Sequence, residues 1–508
     1  MPEVHPRPVV LAGIAWVAYP FFAATTFIGD DHLFLAFARY VANPLVAFVH
    51  DQHGGEFYRP WPMLAWWLVG RAASAHAWTW PFALLQLALH ATVAVEVAAL
   101  LAALGRGRRV ALVGGALFLV APFTREAAYW YAASTDLWAT AFGLGAIIAC
   151  VRDRTGLAIA LFAGACWSKE SAIVVPALCV LALRVRPPVA RAPELMRKIV
   201  GLGVVAAIYL VARFVVLRGA GGSGDARAPF VGKLIQIGSG VVRIVTGADS
   251  APTALDWLAG GAAWAALLVD GVRRTRRTAR AASQGGSPTP VVWGAPLVWL
   301  AVSTLPLLAA PWVVGARYFY MSAVAVAWLA AESLACAPMP VVAGVFSVLV
   351  GFCLTRDVAR AADVAEYEAR LGAARRAVAA GLADGHETFQ IAAGIKDLDL
   401  AIKEDPRFRA AEARLIVLGD VPASFVALPY SRADELDFVV ARPPLPPAGA
   451  YRFGTRRVVG LARRGDEPTL DEVVAHLPGI RFIRLRSAPG GRVIFRDVTE
   501  ALQDSDVE

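Results

Sequence analysis

Charge is scarce in this 508-residue chain: 18% of residues are Asp, Glu, Lys or Arg, against about 25% in a soluble domain, and 57% are hydrophobic. With a mean hydropathy of +0.55, that scarcity excludes a soluble globular enzyme and a disordered or fibrous chain. Cysteine is thin too. Cys150, Cys166, Cys179, Cys336 and Cys353 are odd in number, lie in apolar runs and show no CxxC spacing, so neither a disulfide framework nor a zinc site is indicated. The segment IKEDPRFRAAEARL has the look of one tetratricopeptide repeat, but no second copy follows at the 34-residue period, which argues against a repeat array. The first apolar run has neither a strongly basic start nor an AxA-like cleavage site, and it reads as a helix rather than a signal peptide.

What the chain has instead is 15 Trp, 24 Phe and long apolar runs, the pattern of a polytopic membrane protein in which each helix needs about 20 apolar residues to cross. Candidate spans run over about 8–28, 80–103, 110–122, 136–151, 156–167, 171–183, 199–217, 251–270, 291–310, 318–335 and 338–354, eleven in all. The net charge of +9 collects in short clusters between these runs, so it marks topology rather than a nucleic-acid surface. Those clusters are Arg106 to Arg109, Arg152 to Arg154, Arg184 to Lys198 and Arg273 to Arg280. The positive-inside rule puts them and the N-terminus in the cytoplasm, and the loops at 29–79, 123–135, 168–170, 218–250 and 311–317 outside.

An odd number of spans leaves residues 355–508 outside as well, as a second domain after a membrane domain over 1–354. Its charged, Ala-rich start reads as helical to about residue 416, and DFVVAR, YRFGTRRVVGL, IRFIRL and GRVIFRDV then read as strands. The expected fold is therefore an all-α polytopic membrane protein of about eleven helices with a small extracytoplasmic α+β domain.

Ionisable groups near hydrocarbon are costly, so those at the non-basic ends of spans are the informative ones. They are Asp30 and Asp31 in GDDH; Tyr58 and Arg59 in EFYRPW; Arg125 and Glu126 in PFTREAAYW; Lys169 and Glu170 in WSKES; and Arg317, Tyr318 and Tyr320 in GARYFY. The acidic pair reads equally as a solvated helix end, and Arg59 as an interfacial anchor. His90 lies inside an apolar span one turn from Gln86, giving an intramembrane polar face. HDQH has a metal-like spacing, but two imidazoles in a Gly-rich loop without a third ligand read as loop residues, and no metal site is expected there.

Carboxylates beside several cations suit anionic-substrate chemistry. A carboxylate takes a proton from an acceptor hydroxyl, while Arg and Lys hold a phosphate leaving group. A phosphate held at a membrane surface among many helices is most simply a lipid-linked one.

In this order and at these span ends, the acidic pair Asp30 and Asp31, the YRP motif (Tyr58, Arg59, Pro60), Gln86 with His90, Pro122, Glu126 and Trp130, the SKE turn (Ser168, Lys169, Glu170) and Arg317 with Tyr318 resemble the integral-membrane type C glycosyltransferases. The likeness runs over about residues 8–354 and is to the protein O-mannosyltransferase-like branch, which includes the transmembrane tetratricopeptide-repeat mannosyltransferases. It implies an inverting transferase using a polyprenyl-phosphate-linked sugar donor, with Asp30 as base and Asp31 as the near alternative. By the same resemblance Arg59, Lys169 and Arg317 contact donor phosphate or orient the carboxylates. Gln86 where that branch often has Asn, and an α+β tail in place of repeats, put mannose and the acceptor class in question. A divalent cation is compatible with the acids and is not required by them. A transporter or flippase of lipid-linked or anionic substrates, or an inactive scaffold, is the alternative. A transporter should distribute charge through the membrane depth and repeat a pattern in two halves.

Overall fold

The computed structural model describes residues 27, 31–49, 57–73, 79–185, 192–217, 219, 230–246, 253–283, 294–309 and 316–383, and the strand residues 388–392, 414–418, 435–440, 450–452, 481–488 and 492–497. Asp30, the first expected span up to residue 26, and both histidines of HDQH lie outside them. The chain divides into two compact units: Met1–Thr25, Thr79–Ala212 and Ala228–Ala362 form one, and Thr26–Trp78, Arg213–Arg227 and Asp363–Glu508 form the other.

The stretch 29–79, expected to be a loop, holds two helices, α1 (Asp31–Tyr40) and α2 (Pro60–Ala73). Each begins where its residues favour a start: α1 has Asp31 in its first turn, where a carboxylate meets the positive end of the helix dipole, and α2 has a proline at its first position. Trp66 of α2, 1% exposed, seats against Phe34 at 5.1 Å and Phe27 at 6.3 Å between ring centroids. Trp67 Nε1 donates to the carbonyl of Val41 at 2.7 Å and closes the α1 end onto α2.

Helices lie over every expected run from residue 80 onward. They are α3 (Trp80–Ala103), α4 (Arg108–Val120), the single-turn α5 (Arg125–Tyr129), α6 (Ser134–Val151), α7 (Thr155–Ser168), α8 (Val175–Val185) and α9 (Ala192–Leu217). Then follow α10 (Phe230–Thr246), α11 (Ala254–Ser283), α12 (Gly294–Ala309), α13 (Ala323–Leu334) and α14 (Met339–Ala383). Among the described residues, four helical segments are long and apolar enough to cross a membrane: Trp80–Ala103, Tyr131–Val151, Met196–Leu217 and Ala254–Arg273. Four more apolar helices are shorter, including Thr155–Ser168 and Ala323–Leu334. Helix α10 corrects the expected 218–250 loop. Its Gly, Val and Ile content lowers helix propensity, although its apolar residues recur at helical spacing.

Helices α3, α4, α6 and α13 pack closely because small residues line their contacts. A Cβ at Gly115 of α4 would stand 2.7 Å from the Ala94 carbonyl oxygen of α3, so only glycine allows that approach. At the basic ends of the helices, charges tie elements together. Lys198 of α9, 1% exposed, pairs with Asp153 and donates to the Cys150 carbonyl at 3.2 Å, and Arg106 pairs with Glu332 at 3.5 Å.

Helix α14 runs on without a break to Ala383, and the expected continuation of helix to about residue 416 gives way to strands β1 (Thr388–Ala392) and β2 (Arg414–Leu418). With β3 (Glu435–Val440), β4 (Ala450–Arg452), β5 (Arg481–Ala488) and β6 (Arg492–Asp497) they form a six-stranded sheet in the order β1-β2-β3-β5-β6-β4. The first three strands are parallel, and β3/β5, β5/β6 and β6/β4 pair antiparallel. RLIVL is a short β-branched run, which suits a strand better than the Ala-rich helix before it.

Candidate functional site

The polar face of α3 organises the site. Gln86 and His90 lie four residues apart, hence on one side of the helix, and both are buried. Gln86 Nε2 donates to the carbonyls of Ala127 and Trp130, each at 2.9 Å, and so pins the turn between α5 and α6. His90 Nε2 lies 3.0 Å from the Leu119 carbonyl and Nδ1 lies 2.5 Å from the Tyr320 hydroxyl. A carbonyl only accepts, so the proton sits on Nε2, and in the neutral ring Nδ1 accepts from Tyr320. One helix therefore holds both the α5 segment and the RYFY segment.

Where those segments meet, Glu126 Oε2 accepts from the backbone N–H of Arg317 at 3.0 Å, and Oε1 accepts from Arg317 Nη1 at 3.3 Å. The Arg317 guanidinium lies 3.8 Å from the Trp130 ring centroid and 4.8 Å from that of Tyr318, and its Nη2 donates to the Tyr318 hydroxyl at 3.1 Å. Its plane is thereby fixed by a carboxylate on one side and aromatic faces on others, an arrangement suited to a planar, always-charged group.

Lys169 reaches the same tyrosine. Its Nζ sits 4.5 Å from the Tyr318 ring centroid and 2.5 Å from Asp136 Oδ1. Tyr318 thus stands between two cations. The two ion pairs differ in access: side-chain exposure is 31% for Glu126 and 19% for Arg317, but 7% for Asp136 and 3% for Lys169. Asp136 Oδ2 is buried with no hydrogen-bond partner among the described residues. The site therefore grades from a partly open Glu126–Arg317 pair to a closed Lys169–Asp136 pair, with two carboxylates against two cations.

Glu126, Lys169, Arg317 and Tyr318 come together, and His90 supports them from behind through Tyr320. Arg125, 5% exposed, turns to α14, donating to the Cys353 carbonyl, with its guanidinium 5.2 Å from the Tyr129 ring centroid. Glu170 opens the short helical turn Glu170–Val174, half-buried; the partner of Lys169 is Asp136, not its neighbour Glu170. In the other unit, Asp31 is fully buried at the start of α1. There too, Tyr58 donates its hydroxyl to the Phe48 carbonyl at 2.9 Å, and Arg59 covers the Phe57 ring at 4.1 Å.

Asp136 was not singled out from sequence, and Tyr320 was noted there only as part of GARYFY, without its partner His90. An Asp in the first turn of an apolar helix reads as an ordinary N-terminal acid, and only the 33-residue separation closed by the fold reveals Lys169 as its partner. The signal available was position: Asp136 opens the expected apolar span 136–151, where an unpaired carboxylate is expensive.

No protein-family model matches the chain, and no curated protein matches it. Among solved structures, it is similar to ArnT from Cupriavidus metallidurans bound to undecaprenyl phosphate, at 14% identity over 85% of this chain and 92% of that chain, with a TM-score of 0.44. At that score the functional reading is carried by the residues alone.

Proposed function

We propose that the chain is an integral-membrane glycosyltransferase that moves a sugar from a polyprenyl-phosphate-linked donor to an extracytoplasmic acceptor, with inversion at the anomeric carbon. The carrying observation is the Glu126–Arg317 pair, partly open and backed by Lys169 across the Tyr318 ring. Two cations at adjacent depths on one aromatic ring suit a phosphate ester whose charge grows as it leaves. Arg offers a planar fork and Lys a point charge. An incoming phosphate competes with Glu126 for Arg317, so donor binding is coupled to release of that carboxylate.

In this proposal Asp30 is the general base and Asp31 its near alternative, and Arg59 joins Lys169 and Arg317 in donor binding. Residues 1–354 form the type C glycosyltransferase-like membrane domain, and 355–508 form the extracytoplasmic α+β domain. The test is transfer of radiolabelled sugar from polyprenyl-phosphate donors in membrane vesicles, comparing wild type with Asp30→Asn, Asp31→Asn and Arg59→Ala at equal expression. Loss of a general base lowers the rate by about 10² to 10⁴-fold. Wild-type transfer with one Asp variant reduced by that amount supports the assignment, and absence of donor consumption by the wild type overturns it.

One observation favours the alternative of a transporter. Glu96 lies two-thirds of the way along α3, and its Oε2 is buried with no partner among the described residues. A carboxyl at that depth is the kind of group a translocation path uses. Substrate movement across vesicles without sugar transfer, abolished by Glu96→Gln, would establish it.

A further inference from the structure

Helix α10 has two faces that the chain treats differently. At about 100° per residue, Val231, Leu234, Ile235, Gly238 and Val242 fall in one stripe, and Lys233, Gly240 and Ile244 fall opposite. The second face is buried against protein. Gly240 abuts the Phe319 ring so closely that any Cβ there would overlap it, and α10 packs on both the Pro122–Thr124 and Ala316–Phe319 turns that flank Glu126 and Arg317.

Among the described residues, α11 covers the first face from Gly238 onward. There α10 crosses α11: a Cβ on Gly260 would stand 2.8 Å from Val242, and Trp264 Nε1 donates to the Val241 carbonyl at 3.0 Å. Toward the N-terminal end the same stripe leaves α11, and Val231, Leu234 and Ile235 are 65%, 47% and 61% exposed.

The depth of that crossing identifies what meets these side chains. The segment Ala254–Arg273 of α11 is a candidate membrane span with only 11% of its apolar window buried, so its surface faces lipid. Val241 meets Trp264, ten residues into that span and about 15 Å along the axis, and Gly238 meets Trp257, three residues in, so this half of α10 lies at hydrocarbon level and its stripe leaves α11 near the start of the span. The stripe that leaves α11 there continues a lipid-facing surface. Residues 230–246 contain Lys233 and Arg243 and no acidic residue, the charge character of helices that lie in a membrane interface.

We propose that α10 is embedded in the leaflet where α11 begins, with Val231, Leu234 and Ile235 among its acyl chains, and forms the partition between that leaflet and the Glu126–Arg317 site. The proposal concerns placement in lipid and stands whether or not sugar is transferred.

The test uses the full chain with Cys336→Ser and a single added cysteine, Ile235→Cys, labelled with an environment-sensitive NBD probe and reconstituted in phosphatidylcholine–phosphatidylglycerol vesicles. Leu234→Cys is labelled in parallel, so that one poorly folded variant leaves a second readout, and Leu258→Cys on α11 serves as the lipid-facing reference. The expected result is blue-shifted emission, loss of most emission with acyl-brominated lipid as at Leu258→Cys, and iodide quenching reduced by about an order of magnitude relative to free probe. Efficient iodide quenching with no effect of brominated lipid would place the face in water and overturn the proposal. Protection from both quenchers would mean a protein covers it, and would overturn it equally.

Discussion

Arg317 is the most constrained cation of the site, held by the Glu126 carboxylate, the Trp130 face and the Tyr318 hydroxyl. Lysine keeps the charge but loses the planar stack and the second donor. Arg317→Lys should therefore cost about 1–2 kcal/mol of transition-state stabilisation, roughly a tenfold lower kcat/KM in sugar transfer, with stability little changed. Lys169 and Asp136 behave differently because both are closed off from solvent. Lys169→Met alone strands a buried carboxylate and should lower stability by about 3–5 kcal/mol, whereas Lys169→Met with Asp136→Leu removes both charges and should restore most of that loss. Thermal unfolding of the purified chain in detergent reads the difference, and additive losses would show that the pair is not coupled.

At the scale of elements, α10 shows how packing decides the sign of a substitution. Gly→Ala inside a helix ordinarily stabilises it by about 1 kcal/mol. At Gly240 the added methyl meets the Phe319 ring, so Gly240→Ala should instead destabilise by about 1–3 kcal/mol and weaken the Ala316–Phe319 turn that carries Arg317. A raised melting temperature would contradict the close approach. The same helix was passed over in the sequence because its glycines and β-branched residues carry low helix propensity, which its apolar periodicity and its contacts with α11, α12, α13 and the two turns offset. The runs from Trp80 onward were legible because length and hydropathy alone specify them. Helices α1 and α2 were not, since 29–79 mixes aromatic and polar residues and their order comes from Trp66 and Trp67 packing across to Phe34 and Val41. In the tail, β1 and β2 were hidden by the Ala-rich sequence before them, which carries α14 to Ala383 and no further.

For the whole molecule, the sequence placed Glu126, Lys169, Arg317 and Tyr318 at non-basic helix ends, and the fold joins them into one graded cluster. Distant pairing was the missing part. Nothing local ties Asp136 to Lys169, or His90 to Tyr320 across 230 residues. In the proposed function this cluster binds the phosphate of a lipid-linked ligand. The most direct measurement is binding of polyprenyl phosphate to the full chain in lipid nanodiscs, for wild type and Arg317→Ala, with the uncharged polyprenol as reference. Saturable wild-type binding that polyprenol does not show, weakened about tenfold or more by Arg317→Ala, is the predicted result; equal affinity of both proteins for polyprenyl phosphate, or equal binding of polyprenol, would contradict it.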